Sequence, residues 1–273
     1  MNFIWSDFNV NSANSQKGIM AKRINGPDYW SIMREVFDYD CKHLPLSRFR
    51  LWASVHNVPL VTQQKTSRFI GESFYAAAHD VKIADALQEN WIGIPVVMSE
   101  QLRIADTDTS MQRIQDLAHL LITDFTNFTD INSIVEIGAG YGDMCSVIYS
   151  LGFKGKYTIV DIPELKPIQE YYLNKQNIYP TFSFEDELVT HSDLVIATWS
   201  LSETDLEYRN RLMPKIRDSK QWMILSQSKI FGNSYNEEYF EDFFKDKSMK
   251  KIPLINSVLN TWDKGNTYYV VKN

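Results

Sequence analysis

Ile134-Val135-Glu136-Ile137-Gly138-Ala139-Gly140-Tyr141-Gly142 is the stretch whose reading decides the fold. A short apolar run ends in glycines at every second position, which reads as a buried strand running into a tight turn. Without Cβ atoms the backbone of such a turn can pass close to a ligand. Met144, Val147, Ile148 and Leu151 then fall on one face of a helix, whose first turn offers N–H groups without intrahelical partners. Strand, ligand-sized turn and helix are the parts with which doubly wound α/β proteins hold a nucleotide-like cofactor.

The spacing narrows the kind of cofactor. A dinucleotide fingerprint is G-x-G-x-x-G with a pyrophosphate on the helix N-terminus. Here the spacing is G-x-G-x-G, and Glu136 stands just before the first glycine. A carboxylate there repels a pyrophosphate and suits an ammonium or sulfonium group. The stretch resembles motif I of the class I S-adenosylmethionine (SAM) methyltransferases, an acid, one residue, then G-x-G-x-G.

From residue 131 onward strands and helices alternate. Strands are expected at Ser133–Ile137, Tyr157–Asp161, about Tyr179–Ser183, Asp193–Thr198 and Trp222–Ser226. Helices are expected at Glu164–Lys175, Glu203 to about Arg217 with Pro214 bending or shortening it, and Asn236–Phe244. Two strands close the chain, about Lys251–Leu259 and Thr267–Val271, and the short turn Asp263-Lys264-Gly265-Asn266 forces them antiparallel. This count resembles the Rossmann-like class I methyltransferase fold, an α/β architecture whose seven-stranded, mostly parallel sheet has an antiparallel last strand. The expected division is a helical N-terminal extension over residues 1–105, serving as acceptor cap or oligomer contact, and a SAM-binding methyltransferase domain over 106–273. Within the extension, helices are expected after Gly26-Pro27-Asp28, over Leu46–Val55, Thr66–Ala78 and Asp80–Asn90; beyond it, Ser110–Phe125 carries the clearest helical stripe before the alternating half.

What the resemblance implies about the site is specific. Gly138, Ala139, Gly140 and Gly142 would lie under the cofactor, and Glu136 near its aminoacyl end. Asp161, at the end of the second strand, would bridge the ribose hydroxyls, with Ile162 beside the adenine. Glu185 and Asp186 follow the third strand, and Asp186 is a candidate adenine contact. Thr198 and Trp199 would lie beside the methyl group. The Glu136–Gly142 turn, the Asp161-Ile162-Pro163-Glu164-Leu165 stretch and the Thr198-Trp199-Ser200-Leu201-Ser202-Glu203 segment resemble the sugar O-methyltransferase family of bacterial surface-glycan clusters. The expected function is therefore methyl transfer from SAM to a hydroxyl of a small acceptor, a sugar or glycan precursor, by direct displacement. A hydroxyl acceptor needs a base, for which Glu203, Asp205, His56 and His79 are the candidates. A magnesium ion could assist, as in some sugar O-methyltransferases, although no ligand cluster is legible. Ser202 with Asp205 also has the spacing of a helix cap, and His119 is expected to be exposed or a satisfied helical partner.

The whole chain bounds these readings. A formal charge of −6 with no long basic run does not suggest nucleic acid as a partner. Cys41 and Cys145 are the only cysteines, which argues against a disulfide scaffold or a thiolate zinc site. No apolar run reaches membrane-spanning length, and the N-terminus lacks the pattern of a signal peptide, so a cytoplasmic protein without a membrane partner is expected. Trp30, Trp52, Tyr75 and Trp91 of the extension could stack on a carbohydrate ring or fill a core or a homo-oligomer contact. Rival readings are another SAM enzyme on the same fold (a SAM lyase or an aminopropyltransferase) and a non-catalytic scaffold.

Overall fold

The computed structural model describes residues 28–52, 54–55, 67–94, 101–104, 107–184, 191–228, 235–254 and 265–272. The N-terminal half opens with helix α1 (Asp28–His43) and a 3-10 turn (Leu46–Leu51), then α2 (Ser67–His79) and α3 (Val81–Leu87). Asp80 caps α3 by accepting the Lys82 N–H at 2.8 Å. A hairpin follows that the sequence pattern does not reveal. Strands β1 (Gln101–Ile104) and β2 (Thr107–Ser110) pair antiparallel, Gln101 opposite Ser110 and Ile104 opposite Thr107. The division expected at 105/106 therefore falls inside this hairpin. Ser110 then caps α4 (Met111–Thr123).

The alternating half contains β3 (Ser133–Ile137), α5 (Asp143–Ser150), β4 (Lys156–Val160), a 3-10 turn (Pro163–Leu165) leading into α6 (Lys166–Asn174), and β5 (Thr181–Ser183). Next come β6 (Leu194–Thr198), α7 (Ser200–Glu203), α8 (Leu206–Ile216), β7 (Gln221–Gln227), α9 (Asn236–Phe243), β8 (Met249–Pro253) and β9 (Asn266–Val271). The sheet order is β5-β4-β3-β6-β7-β9-β8, with β9 antiparallel to both its neighbours and the other six strands aligned. This is the Rossmann-like, mostly parallel seven-stranded sheet with an antiparallel last strand. The chain leaves β3 toward β4 on one side and later returns to β6 on the other. The topological switch point thus lies at the carboxyl ends of β3 and β6, where open α/β sheets place a ligand.

Some elements depart from the sequence expectation for local reasons. The helix expected over 203–217 is two helices, because Thr204 is extended (φ −84°, ψ 156°) and Asp205 starts a new cap. Pro214 neither ends nor shortens that second helix; it lies inside α8, two residues before its last residue, Ile216. β8 is shorter than expected, and Asp263 and Lys264 of the turn expected before β9 are outside the described residues.

Two apolar cores flank the sheet. Val135 and Ile137 of β3 point to one face, with Val195, Ala197, Leu212, Ile216 and Trp222. Ile134 points to the other, with Leu117 of α4, Val147 of α5 and Ile168 of α6. The extension joins this second core through Met33, Phe37, Phe49, Trp52, Phe69 and Leu87. Trp52, for which stacking on a ring acceptor and core packing were both open, is a core residue at 5% exposure. The buried pair Arg50–Glu89 anchors the extension internally, with Nη1–Oε1 at 2.9 Å and Nη2–Oε2 at 3.2 Å. Burial alone would raise Glu89, but the guanidinium of Arg50 holds its carboxyl below the usual range.

Removing one partner of a buried pair strands the other charge. Arg50→Met is expected to cost about 3–5 kcal/mol of stability, whereas Arg50→Met with Glu89→Leu recovers most of it. Urea unfolding of the two variants checks this; equal losses would show that the pair is not the source.

Candidate functional site

The turn after β3 is shaped by left-handed backbone at alternate residues. Gly138, Gly140 and Gly142 have φ of 74°, 57° and 100°. A Cβ at Gly138 would overlap Ser200, whose hydroxyl donates to the Ile137 carbonyl, so the end of β3 and the start of α7 touch directly. The Gly138 N–H donates to the Val160 carbonyl at 2.8 Å, and Gly142 to Ala139 at 2.8 Å. Gly142 precedes α5, whose first-turn N–H groups have no carbonyl four residues back and face the switch point.

Asp161 stands one residue past β4 and is half-buried. Its Oδ2 accepts the Ala139 N–H at 2.9 Å and Gln169 Nε2 at 2.8 Å; its Oδ1 accepts the Ile162 N–H at 2.8 Å. Gln169 also donates to the Gly140 carbonyl at 2.9 Å. Thus Asp161 and Gln169 lace the glycine turn to the end of β4. Burial raises Asp161 to about 7, against the hydrogen bonds from Ile162, Gln169, Ala139 and Gly140. Gln169 had no local sequence signal; its role depends on α6 returning beside the turn.

Glu136 lies beneath the turn at 2% exposure, where its Oε2 accepts the Tyr157 hydroxyl at 2.8 Å. Burial pushes it up to about 8, with Asp161 and Asp143 adding to the rise and Tyr157 opposing it.

On the β6 side, Thr198 ends the strand partly exposed. Trp199 adopts φ 65°, a region costly for a bulky residue, and is only 6% exposed. Its indole N–H donates to Asn266 Oδ1 at 3.0 Å, and its ring meets His119 edge-on at 5.1 Å. His119 is fully buried rather than exposed. Its Nδ1 pairs with the Tyr268 hydroxyl at 2.7 Å, its Nε2 has no hydrogen-bond partner among the described residues, and burial lowers it to about 3.

The four candidate bases separate clearly. Glu203, at the end of α7, is partly exposed, and no described residue donates a hydrogen bond or ion pair to it; burial raises it to about 8. Asp205 is exposed and caps α8 by accepting the Tyr208 N–H at 2.6 Å. His79 ends α2, exposed, with its ring against Tyr75 and Nδ1 on the Tyr75 carbonyl at 2.7 Å. His56 and the expected adenine contact Asp186 lie outside the described residues. Ile162 is half-buried beside Asp161. Among the described residues no group of three or more His, Cys, Asp or Glu side chains could hold a metal ion, and no helix is long and apolar enough to cross a membrane.

No protein-family model matches the chain, and no curated protein matches it. Solved structures do resemble it. A protein from Pyrococcus horikoshii aligns at 12% identity over 60% of this chain and 92% of its own (TM-score 0.46). A SAM-dependent methyltransferase from Clostridium acetobutylicum aligns at 13% identity over 52% and 84% (TM-score 0.42). Magnesium protoporphyrin IX methyltransferase from Synechocystis, with bound SAM, aligns at 14% identity over 58% and 77% (TM-score 0.44).

The buried titratable groups set a pH dependence. Glu136 and Asp161 keep protons in the folded state that the unfolded chain releases near pH 4–4.5, so their contribution to stability falls as pH rises toward about 8. His119 stays neutral while the unfolded chain takes up a proton below about pH 6.5, so its contribution is lost as pH falls toward 3. The two trends oppose each other below about pH 6.5, and above it the carboxyls act alone. Unfolding free energy from urea titrations is expected to decline from about pH 6.5 to 8, with a shallower slope in Glu136→Gln. An unchanged slope would show that Glu136 ionises normally in the folded protein.

Proposed function

We propose that this chain is a SAM-dependent methyltransferase acting on a hydroxyl of a small acceptor, most simply a sugar or glycan precursor. The observation that carries the reading is Asp161: a carboxylate at the carboxyl end of β4, tied to the glycine turn through the Ala139 N–H, where an open α/β sheet can offer an acid to ribose hydroxyls. The donor set suits a ligand with a ribose at one end and a carboxylate at the other. Asp161 takes the ribose. The turn over Gly138, Ala139, Gly140 and Gly142, with the first turn of α5, takes the carboxylate. Ile162 offers an apolar surface to the base. When bound, SAM supplies a methyl group on a positively charged sulfur, which an oxygen nucleophile can displace once the two are aligned.

The remaining chemistry belongs to the chain. Glu203 accepts the proton of the acceptor hydroxyl, because this partly exposed residue at the end of α7 has a carboxyl with no partner among the described residues. A base held near 8 is mostly protonated at neutral pH, so transfer speeds up as pH rises toward that value. Thr198 and Trp199 line the β6 rim. Its partly exposed polar groups, among them Ser200, Thr204, Gln227 and Ser228, suit a hydroxyl-rich acceptor. Asp205 serves α8 as its cap, and His79 lies at the exposed end of α2, so Glu203 is the preferred base. A magnesium ion is not needed for this scheme.

Calorimetric titration of the wild type with SAM and S-adenosylhomocysteine is expected to give micromolar-scale binding, about −8 kcal/mol, lost in Asp161→Ala. Absence of binding by the folded wild type would overturn the reading. In assays with sugars and nucleotide sugars, Glu203→Gln is expected to lower turnover about 10²–10⁴-fold with SAM affinity kept. A methylthioadenosine product would instead favour a SAM lyase or an aminopropyltransferase.

A further inference from the structure

The glycine turn carries one large side chain, Tyr141, and the extension holds it. Tyr141 is 1% exposed. Phe49 packs on its ring at 5.4 Å, and the Arg50 guanidinium lies 5.3 Å from the ring centroid. Both come from the 3-10 turn of the extension, and both are fixed there. Arg50 is locked by Glu89, its N–H donates to the Gly93 carbonyl at 3.1 Å, and Gly93 lies so close to the Phe49 ring that no Cβ would fit.

A second connection reaches the residue after the turn. Asn90 Nδ2 donates to the Tyr172 hydroxyl at 2.6 Å, and that hydroxyl donates to Asp143 Oδ1. Asp143 is the first residue of α5, and its Oδ1 also accepts from Arg113 Nη1 at 3.1 Å. Arg113 in turn donates to the Ala86 carbonyl at 2.9 Å and to Ser146 Oγ at 3.1 Å. The Tyr172 ring meets Tyr141 edge-on at 4.9 Å, which joins the two connections. The turn is therefore held between Asp161 and Gln169 on its open side and the extension behind.

From this geometry we infer that Asn90 and Tyr172 are positioning residues for the cofactor's carboxylate end, so that the extension sets SAM affinity by orienting the glycine turn and the first turn of α5. The inference rests on the SAM reading and assigns the extension a part in cofactor binding, distinct from covering the acceptor or joining subunits. The chain of hydrogen bonds ends at the α5 N-terminus and does not reach Asp161. Loosening it should therefore weaken ligands that carry the aminoacyl group and spare those that lack it.

The test compares S-adenosylhomocysteine with methylthioadenosine, which keeps the nucleoside and lacks the amino-acid end, by calorimetry. Tyr172→Phe and Asn90→Ala are each expected to weaken S-adenosylhomocysteine about 5–30-fold while methylthioadenosine stays within about twofold. The double variant should be little worse than Tyr172→Phe alone, since both changes cut the same chain. Asn90 is only partly buried, so Asn90→Ala carries the test if Tyr172→Phe does not fold. Unchanged S-adenosylhomocysteine affinity in the folded variants overturns the inference, and so does equal weakening of both ligands, which would mean general loosening. Wild-type protein that binds neither ligand overturns the SAM reading itself, an outcome visible before any variant is made.

Discussion

The end of β3 has room for a backbone and nothing more. At Gly138 the chain turns through a positive φ while Ser200 presses against the place a side chain would take. That close approach brings the start of α7 to the end of β3 and sets the distance between the glycine turn and the β6 rim. Trp199 accepts an unfavourable backbone conformation at the neighbouring position, held by its indole hydrogen bond to Asn266 and its contact with His119. Strain at one point is maintained because packing and hydrogen bonds on several sides determine it.

The second constraint is electrostatic. Carboxyls gather around the turn, and the chain treats them differently. Asp143 is paired with Arg113, and Glu89 with Arg50. Glu136 has only a phenol, Asp161 has neutral donors, and Glu203 has no partner among the described residues. Burial raises Glu136 and Glu203 to about 8 and Asp161 to about 7, and it raises Asp143 as well, against the pull of Arg113. The paired acids serve structure and join the extension to α5. The unpaired ones keep proton affinity near neutrality, where a group can exchange a proton during a reaction.

This division also explains the architecture of the N-terminal half. Its apolar residues continue the core on the α4–α5–α6 side of the sheet, and its polar residues meet the turn from behind. Arg34 of α1 adds a surface contact on the other side of Asp161, with Nε 3.1 and 3.0 Å from the two carboxylate oxygens of Glu164, on the 3-10 turn after Ile162. The extension thus borders both the glycine turn and the loop after β4.

The strand, the glycine turn, the helix after it, Asp161 and the antiparallel closing pair were legible in the sequence. Alternation, glycine spacing and turn chemistry act over a few residues, so a linear reading captures them. The split of α7 from α8 and the hairpin over 101–110 were less legible, because short elements leave too few residues for a period to emerge. The site's supporting partners were not legible at all. Arg50 with Glu89, Asn90 with Tyr172, Gln169 with Gly140 and His119 with Tyr268 are joined only when distant segments meet. Equally, Glu203 and Asp205 look alike as acids near a strand end; which one caps a helix and which remains unpartnered depends on where Thr204 breaks the helix. The sequence by itself determined the fold class and where the glycine turn lies, since local backbone preferences suffice for both. Tertiary structure alone decided which acids are paired, which keep a raised proton affinity and what holds the turn, because those depend on burial and on contacts across the whole chain.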